Sequence, residues 1–434
     1  MFTFLLSLPA SVKVGGAFFL ILLLNRFGLP LAWSILVNAV LLGLWSGGGL
    51  SSFRYEASVL LGPESLLLIL DILLLLFLTE SLNASGRMER TINSLKAGLR
   101  RPRLLYAGLP ALIGLLPMPG GAIFSAPLVD ALDHEKRFDP ALKSAINYWF
   151  RHIWEYWWPL YPGVILAMKY SGLPVAVFFC IQAPLTLFAV MGGVLFILNR
   201  IHTHGTQPAR IKIVFKDATA ALLPIGVLVV LAVGGSYALP SIGVKGTVAN
   251  LLAMLTGLLT ALIIVLLPSR EALKKSLRIF TKPTIWGFVV LVIGVQTFSA
   301  VLKRPLGLHE ITLVGLMRDE FLRLGIPLIA VMMAIPFISG MVTGVAMGFV
   351  GASFPLVFGL LGTDPTTGQV LGLTTLAYGF GYLGMMLSPV HICYVVTCEY
   401  FKHPMMKTYK LIALPLAIVA AGVLILSSFY YLVF

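Results

Sequence analysis

Charge is scarce in this chain. Only 11% of its 434 residues are Asp, Glu, Lys or Arg, while 59% are hydrophobic; an average soluble domain carries about 25% charged residues. A soluble core cannot absorb that ratio, which excludes a soluble enzyme, a secreted disulfide scaffold and a nucleic-acid binder. Cysteine is scarce too. Cys180, Cys393 and Cys398 are an odd number and all lie in apolar runs, so neither a disulfide framework nor a zinc site is indicated. Hydrolytic motifs are missing: there is no His-Glu-x-x-His helix and no Gly-x-Ser-x-Gly elbow, and His134-Glu135 sits in a charged loop without a second histidine. No nucleophile and base can be paired, so no enzymatic role is expected. Met1 to Ala10 lacks the basic stretch that opens a signal peptide, so the first helix is expected to be retained. The apolar runs also lack the polar alternation of an outer-membrane barrel.

What the chain does have is a succession of long apolar runs, among them Leu66 to Leu78, Val175 to Leu198 and Leu411 to Phe434. A helix crossing a hydrocarbon core of about 30 Å needs roughly 20 residues, and the runs approach or reach that length. The fold class is therefore an all-α polytopic membrane protein. Crossing segments are expected near 14–25, 29–46, 64–82, 141–168 and 173–198, and again near 217–238, 247–267, 284–302, 368–400 and 409–433. Two further stretches, 103–132 and 325–360, are apolar but crowded with proline and glycine. Backbone that irregular is tolerated at membrane depth only inside protein or along a watery cavity. Basic residues collect in connecting loops such as Asn83 to Arg103, Arg200 to Lys216 and Arg270 to Lys282. If the two broken stretches enter and return as hairpins, 22 of the 31 Lys and Arg fall on one face and 8 on the other, with Arg151 inside a helix. The net charge of +14 thus becomes an orientation, with ten crossings and both termini outside.

Each half then reads alike: three helices, a re-entrant hairpin, a long interrupted helix and a plain one. Five crossings per half is odd, so the second copy is inverted. The first repeat covers 1–200, with hairpin 103–132 and broken helix 141–168; a cytoplasmic linker covers 201–216; the second repeat covers 217–434, with hairpin 325–360 and broken helix 368–400. Short echoes recur in the same order. Gly108-Leu109-Pro110 running to Pro117-Met118-Pro119-Gly120-Gly121 is answered by Gly325-Ile326-Pro327 running to Pro336-Phe337-Ile338-Ser339-Gly340, and His152-Ile153 by His391-Ile392. Inverted repeats with broken helices are the construction of secondary transporters.

On this arrangement the chain resembles the ion transporter superfamily, which includes citrate, dicarboxylate and gluconate permeases and some sodium/proton antiporters. The stretches LLPMPGGAIFSAPLVDAL and LSPVHICYVVTCEYF look like an uncharacterised prokaryotic integral membrane family within it. The architectural match covers nearly the whole chain; the residue match is confined to hairpin tips and interrupted helices. The carboxylate carriers of the superfamily place a Ser-Asn-Thr triplet at each tip for sodium and substrate. Here Pro119-Gly120-Gly121 stands at one tip and Ser339-Gly340 followed by Thr343-Gly344 at the other, a departure from that sodium and dicarboxylate pattern.

The candidate site follows from the tips and breaks. A half-helix N-terminus opening in mid-membrane favours an anion through its free amides and dipole, and glycine lets a ligand touch backbone. Gly120, Gly121, Gly340 and Gly344 are candidate substrate contacts, with close helix packing as the competing reading. Ser125, Ser339 and Thr343 offer hydroxyls unless they bond back to their own helices. Residues 141–168 would span about 42 Å as one helix, and Pro159 and Pro162 are expected to break it. Arg151, His152 and Glu155 precede that break at i,i+3 and i,i+4 spacing, sharing a face. They form either an intrahelical ion pair or a site in which Arg151 or His152 meets a carboxylate and Glu155 carries the coupling proton. Ser388 and His391 mark the second break, after Gly379, Gly381 and Gly384. Asp71, deep in its span, is a further ion-coupling candidate, whereas Glu80 and Glu399 read as snorkelling residues. Tyr148, Trp149, Trp154, Tyr156, Trp157 and Trp158 read as an interfacial belt.

The expectation is a secondary active transporter of a small organic anion, a carboxylate, coupled to H+ or Na+ by alternating access in the cytoplasmic membrane. No cofactor beyond the coupling ion and no nucleic acid is expected; the partners are substrate and lipid, and a homodimer is compatible with the reading. The alternative is a cation/proton antiporter of the same architecture.

Overall fold

A computed structural model describes residues 8–47, 50–87, 102–115, 121–133, 136–201, 215–306, 311–362 and 364–434. These form nineteen α-helices, two single-turn 3-10 segments and one ribbon pairing Pro305–Leu306 with Ile311–Thr312. The first half contains α1 (Ala10–Arg26), α2 (Leu31–Trp45), a short α3 (Leu50–Leu60) and α4 (Pro63–Ala84). Hairpin arms α5 (Pro102–Gly114) and α6 (Ala122–Leu132) follow, then α7 (Pro140–Arg151) and α8 (Pro162–Ser171) on either side of a break, and α9 (Val175–Phe196). The second half runs through α10 (Phe215–Ser241), α11 (Gly246–Leu266), a short α12 (Arg270–Leu277), α13 (Pro283–Lys303) and α14 (Leu313–Arg323). Arms α15 (Leu328–Thr343) and α16 (Ala346–Gly359), the pair α17 (Thr367–Met386) and α18 (Ile392–Tyr400), and α19 (Met405–Val433) complete it. Among the described residues six helices are long and apolar enough to cross a membrane: Pro63–Ala84, Val175–Arg200, Leu222–Ser241, Gly246–Leu266, Pro283–Lys303 and Met405–Val433. The molecule is a multi-pass, all-α membrane protein.

Local chemistry sets the helix ends. Pro63 and Pro162 open α4 and α8 at positions whose amides have no helical acceptor. Asp139 accepts from Ala141 N at 2.7 Å to start α7, and Thr366 with Gln369 forms a reciprocal capping box on α17. Gly172 and Gly344 end α8 and α15 in the left-handed conformation. Pro184, Pro224 and Pro415 lie inside helices without ending them. The segment Arg270 to Lys282, read as loop from sequence, contains α12, whose first turn is capped by Ser269. The stretches before α4 and α15 likewise carry the short helices α3 and α14. From α14, Glu320 accepts hydrogen bonds from Ala10 N and Ser11 N at 2.8 and 2.7 Å, capping the free amides of α1. Burial acts upward on the Glu320 carboxyl, but these hydrogen bonds and the Arg323 charge outweigh it and hold the pKa below the usual glutamate value.

Packing places the breaks at the centre. Every residue of α7 from Ala141 to Arg151 is buried, as are residues 347–357 of α16 and 371–379 of α17. By contrast Leu187, Val230 and Phe19 present 64 to 71% of their surface outward, as lipid-facing side chains do. Contacts between elements exchange when the halves are exchanged: α8 packs on α16 and α18 on α6; α2 packs on α13 and α11 on α4; α5 packs on α7 and α15 on α17. Glycines permit the closest of these approaches. A Cβ on Gly114 would overlap the carbonyl of Arg151, and one on Gly340 would overlap that of Gly381.

Candidate functional site

The first break begins earlier than its prolines. Arg151 is the last helical residue, His152 is the C-cap and the chain turns irregularly until Pro162. The expected helical face shared by Arg151, His152 and Glu155 is therefore absent, because no i,i+4 helix continues past Arg151. Instead, the freed backbone of the break is satisfied by side chains, as membrane depth requires. Tyr382 donates to His152 O at 3.1 Å and Tyr378 to Glu155 O at 2.6 Å, both from α17. In return, the indoles of Trp154 and Trp158 donate to Ala111 O and Leu115 O at 2.8 and 2.9 Å, and Tyr161 donates to Gly114 O, all in the first hairpin. The aromatic cluster is thus no interfacial belt: Tyr148, Trp149 and Tyr156 are fully buried, and its polar tips knit the break to its neighbours.

The second break, 387–391, lies against the second hairpin tip. His391 is the N-cap of α18, and Ser388 Oγ accepts from Val390 N at 3.3 Å. A Cβ on Gly344 would lie 2.9 Å from His391 N and 3.0 Å from Ser388 Oγ. One on Gly163 would lie 2.9 Å from the Ala346 Cβ and 3.0 Å from Met347 N. The N-termini of α8, α16 and α18 consequently converge. Between them lies a cavity of about 130 Å³ whose polar lining includes Arg151, Glu155, Tyr161, His391 and Cys393. Arg151 Nη1 donates to Cys393 Sγ at 3.0 Å and approaches His152 Nε2 at 3.4 Å, while His152 Nε2 is 3.8 Å from Glu155 Oε1. The rings of His152 and His391 meet edge to face with centroids 4.8 Å apart. Tyr148 donates to Met386 O at 3.0 Å and lies 3.2 Å from His391 Nδ1. Three helix N-termini and a buried guanidinium around one small cavity give it an excess of positive potential, with Glu155 as the counter-charge.

The other expected contacts are dispersed. Gly120, with Pro117 to Pro119, lies outside the described residues, as do most of the loop Asn83 to Arg103, most of the linker and His134-Glu135. Gly121 caps α6, and Ser125 bonds back to Ala122 O at 3.5 Å. Gly340 packs against α17 rather than lining the cavity. Thr343 bonds back to Ser339 O at 2.8 Å, and buried Ser339 Oγ has no partner among the described residues. Asp71 lies apart on α4, fully buried, both carboxylate oxygens without a hydrogen-bond partner among the described residues. Glu80 pairs with Lys282 at 3.1 Å near the surface. Sequence reasoning missed Cys393, Tyr148, Tyr378 and Tyr382. All four are buried in apolar runs, and the only signal available was their proximity to the predicted breaks.

A family profile described as "Protein of unknown function (DUF401)" matches residues 17–433, and the chain belongs to that family. No curated protein matches it significantly. Among solved structures, the fold is similar to that of the YdaH transporter of Alcanivorax borkumensis, with a TM-score of 0.55 and 12% identity over 90% of each chain; that crystal structure is described as revealing an unusual topology.

Proposed function

We propose that this DUF401 member is a secondary active transporter, not an enzyme, that carries a small organic anion, a carboxylate, coupled to H+ or Na+ by alternating access. The observation that carries the proposal is the convergence of the N-termini of α8, α16 and α18 on one cavity beside the buried Arg151. Amides and dipole ends of that kind suit an anion, and Arg151 offers a carboxylate a planar pair of donors. The fold shared with a transporter and the reciprocal contacts of the halves support the further reading of an inverted repeat, 1–200 and 217–434, in the manner of the ion transporter superfamily. In that arrangement the substrate sits where the two repeats meet. The basic loops orient it in a cytoplasmic membrane with both termini outside.

Coupling falls to Asp71. A buried carboxylate with two unpartnered oxygens is costly in the charged form unless a proton or cation accompanies it. Uptake into proteoliposomes should depend on an ion gradient and fall sharply in His391→Ala and Arg151→Gln, both of which line the cavity; full uptake in both variants would overturn the site. The same isolated Asp71 favours, as a second reading, a cation/proton antiporter of this architecture. Proton flux elicited by sodium without any organic anion, abolished in Asp71→Asn, would support it over symport.

A further inference from the structure

We propose that His152, His391 and Cys393 form a binding site for a soft divalent transition-metal ion of the zinc type, and that the bound ion clamps the two halves together at their breaks. One ring nitrogen of each histidine and the Cys393 sulfur all lie within 4.8 Å of one another, and all three residues are buried. Zinc–ligand bonds of about 2.0–2.3 Å in a tetrahedron put ligand atoms roughly 3.4–3.7 Å apart, so closure onto an ion needs shifts of only about 1 Å. Glu155 Oε1, 3.8 Å from His152 Nε2, lies outside the mutually close trio and would have to move toward the ion to serve as a fourth ligand. Two imidazoles, a thiolate and a carboxylate match the donor preferences of zinc and cobalt rather than those of magnesium or calcium.

The surroundings orient the donors. His152 Nδ1 is 2.5 Å from Tyr148 O, a contact that requires the proton on Nδ1 and leaves the Nε2 lone pair for a metal. His391 Nδ1 is 3.3 Å from Met385 O and 3.2 Å from the Tyr148 hydroxyl, whose own proton points to Met386 O. His391 therefore also donates from Nδ1 and keeps Nε2 free. A backbone carbonyl behind each ligating imidazole is the arrangement that fixes tautomer and ring orientation in metal sites. Arg151 Nη1 donates to Cys393 Sγ at 3.0 Å and approaches His152 Nε2 at 3.4 Å, so an incoming ion competes with the buried guanidinium for the same two ligand atoms, and the thiolate and carboxylate charges must offset both cations.

His152 and Glu155 belong to the first break, His391 to the second, and Cys393 to the first turn of α18 that follows it. An ion held by both joins elements that alternating access requires to separate, so occupancy arrests transport; this consequence, unlike the site itself, rests on the transporter reading. The test is titration of the detergent-purified full chain with Co2+, followed by displacement with Zn2+. One equivalent of cobalt should produce a thiolate-to-cobalt charge-transfer band, absent in Cys393→Ser and retained in the Cys180→Ser/Cys398→Ser double variant, where Cys393 is the sole thiol. His152→Gln should weaken cobalt binding at least tenfold. Absence of the band in the parent chain or in the double variant overturns the site, as does its persistence in Cys393→Ser. In proteoliposomes Zn2+ should inhibit uptake reversibly, with chelator restoring it, and leave the residual uptake of Cys393→Ser unaffected. A cobalt band without zinc inhibition overturns the clamp, whereas a cobalt band in a protein that moves no anion overturns the transport proposal and leaves the site standing.

Discussion

The two broken helices make reciprocal contacts, α7 with α5 and α17 with α15, α8 with α16 and α18 with α6, and differ in nearly everything chemical. Between α7 and α8 the chain leaves helical geometry for ten residues, 152–161, and carries Glu155 and three tryptophans, with Arg151 at its edge. Between α17 and α18 it does so for only five, 387–391, which carry Ser388, Pro389 and His391 and no carboxylate or guanidinium. The longer break frees more carbonyls, and Tyr378 and Tyr382 from the other half satisfy two of them. The shorter one needs less and instead receives the Gly344 tip. The cavity is thus unsymmetrical: the first break supplies the charge and the second supplies a neutral wall of ring, hydroxyl and backbone.

Removing the charge should have the largest effect. Truncating a buried, hydrogen-bonded charge costs about 2–5 kcal/mol, roughly 30-fold in affinity or more, so Arg151→Gln should abolish measurable uptake. His391→Gln on the other side should lower it by about tenfold. Equal losses in the two variants would dissolve the contrast between the breaks.

A paired glycine substitution sharpens the same contrast. Gly172 and Gly344 have nearly identical φ, 65° and 64°, but a Cβ on Gly172 meets nothing within 4 Å whereas one on Gly344 meets His391. Alanine in the left-handed region costs about 1–2 kcal/mol at either position. Gly344→Ala should therefore lose more thermal stability than Gly172→Ala, because its Cβ must also displace the His391 backbone, and only Gly344→Ala should also lose uptake, by about tenfold, measured side by side in proteoliposomes.

Asp71 tests whether coupling resides outside the two breaks. Asp71→Asn keeps the shape and removes a buried carboxylate that has no partner, so its melting temperature should match or exceed the parent's. Accumulation driven by an ion gradient should fall at least tenfold while exchange of anion for anion persists. Loss of both activities together would assign Asp71 to the anion site. The smallest effect is expected at Glu320, far from either break. Its lowered pKa means that its contribution is present above the unfolded glutamate pKa of about 4.3 and is lost as pH falls through the folded value. Glu320→Gln should reduce stability by about 0.3–1 kcal/mol at neutral pH, and in thermal unfolding scans the difference from the parent should begin to shrink below the unfolded pKa and vanish only once the pH is below the lowered folded value.

Sequence made the helical class, the long spans and the two irregular hairpins legible, because proline, glycine and charge are local signals. It also located the second break through Ser388-Pro389 and the end of the first through Pro162, but not the start of the first, which comes at His152, about two turns before Pro159. What it did not reveal was the state of Arg151, His152 and Glu155. Helical spacing put them on one face, whereas tyrosines more than 220 residues away draw out the carbonyls of His152 and Glu155 where the helix has already ended. Cys393 was invisible for a related reason: a cysteine in an apolar run acquires chemical meaning only when folding brings Arg151 and His152 to it. The tryptophans misled because an interfacial belt and a buried bracing cluster have the same composition, and only their hydrogen-bond acceptors distinguish them.

The central claim is that the two breaks form one anion site across the halves. Its most direct measurement is a double-mutant cycle on anion binding, with affinities of the parent, Arg151→Gln, His391→Gln and the double variant measured by calorimetry for an organic acid that stabilises the detergent-purified parent. One shared site predicts that the two substitutions interact by at least about 1 kcal/mol, since both partners address the same ligand. Additivity within about 0.3–0.5 kcal/mol, or the absence of any organic acid that binds the parent, would contradict it.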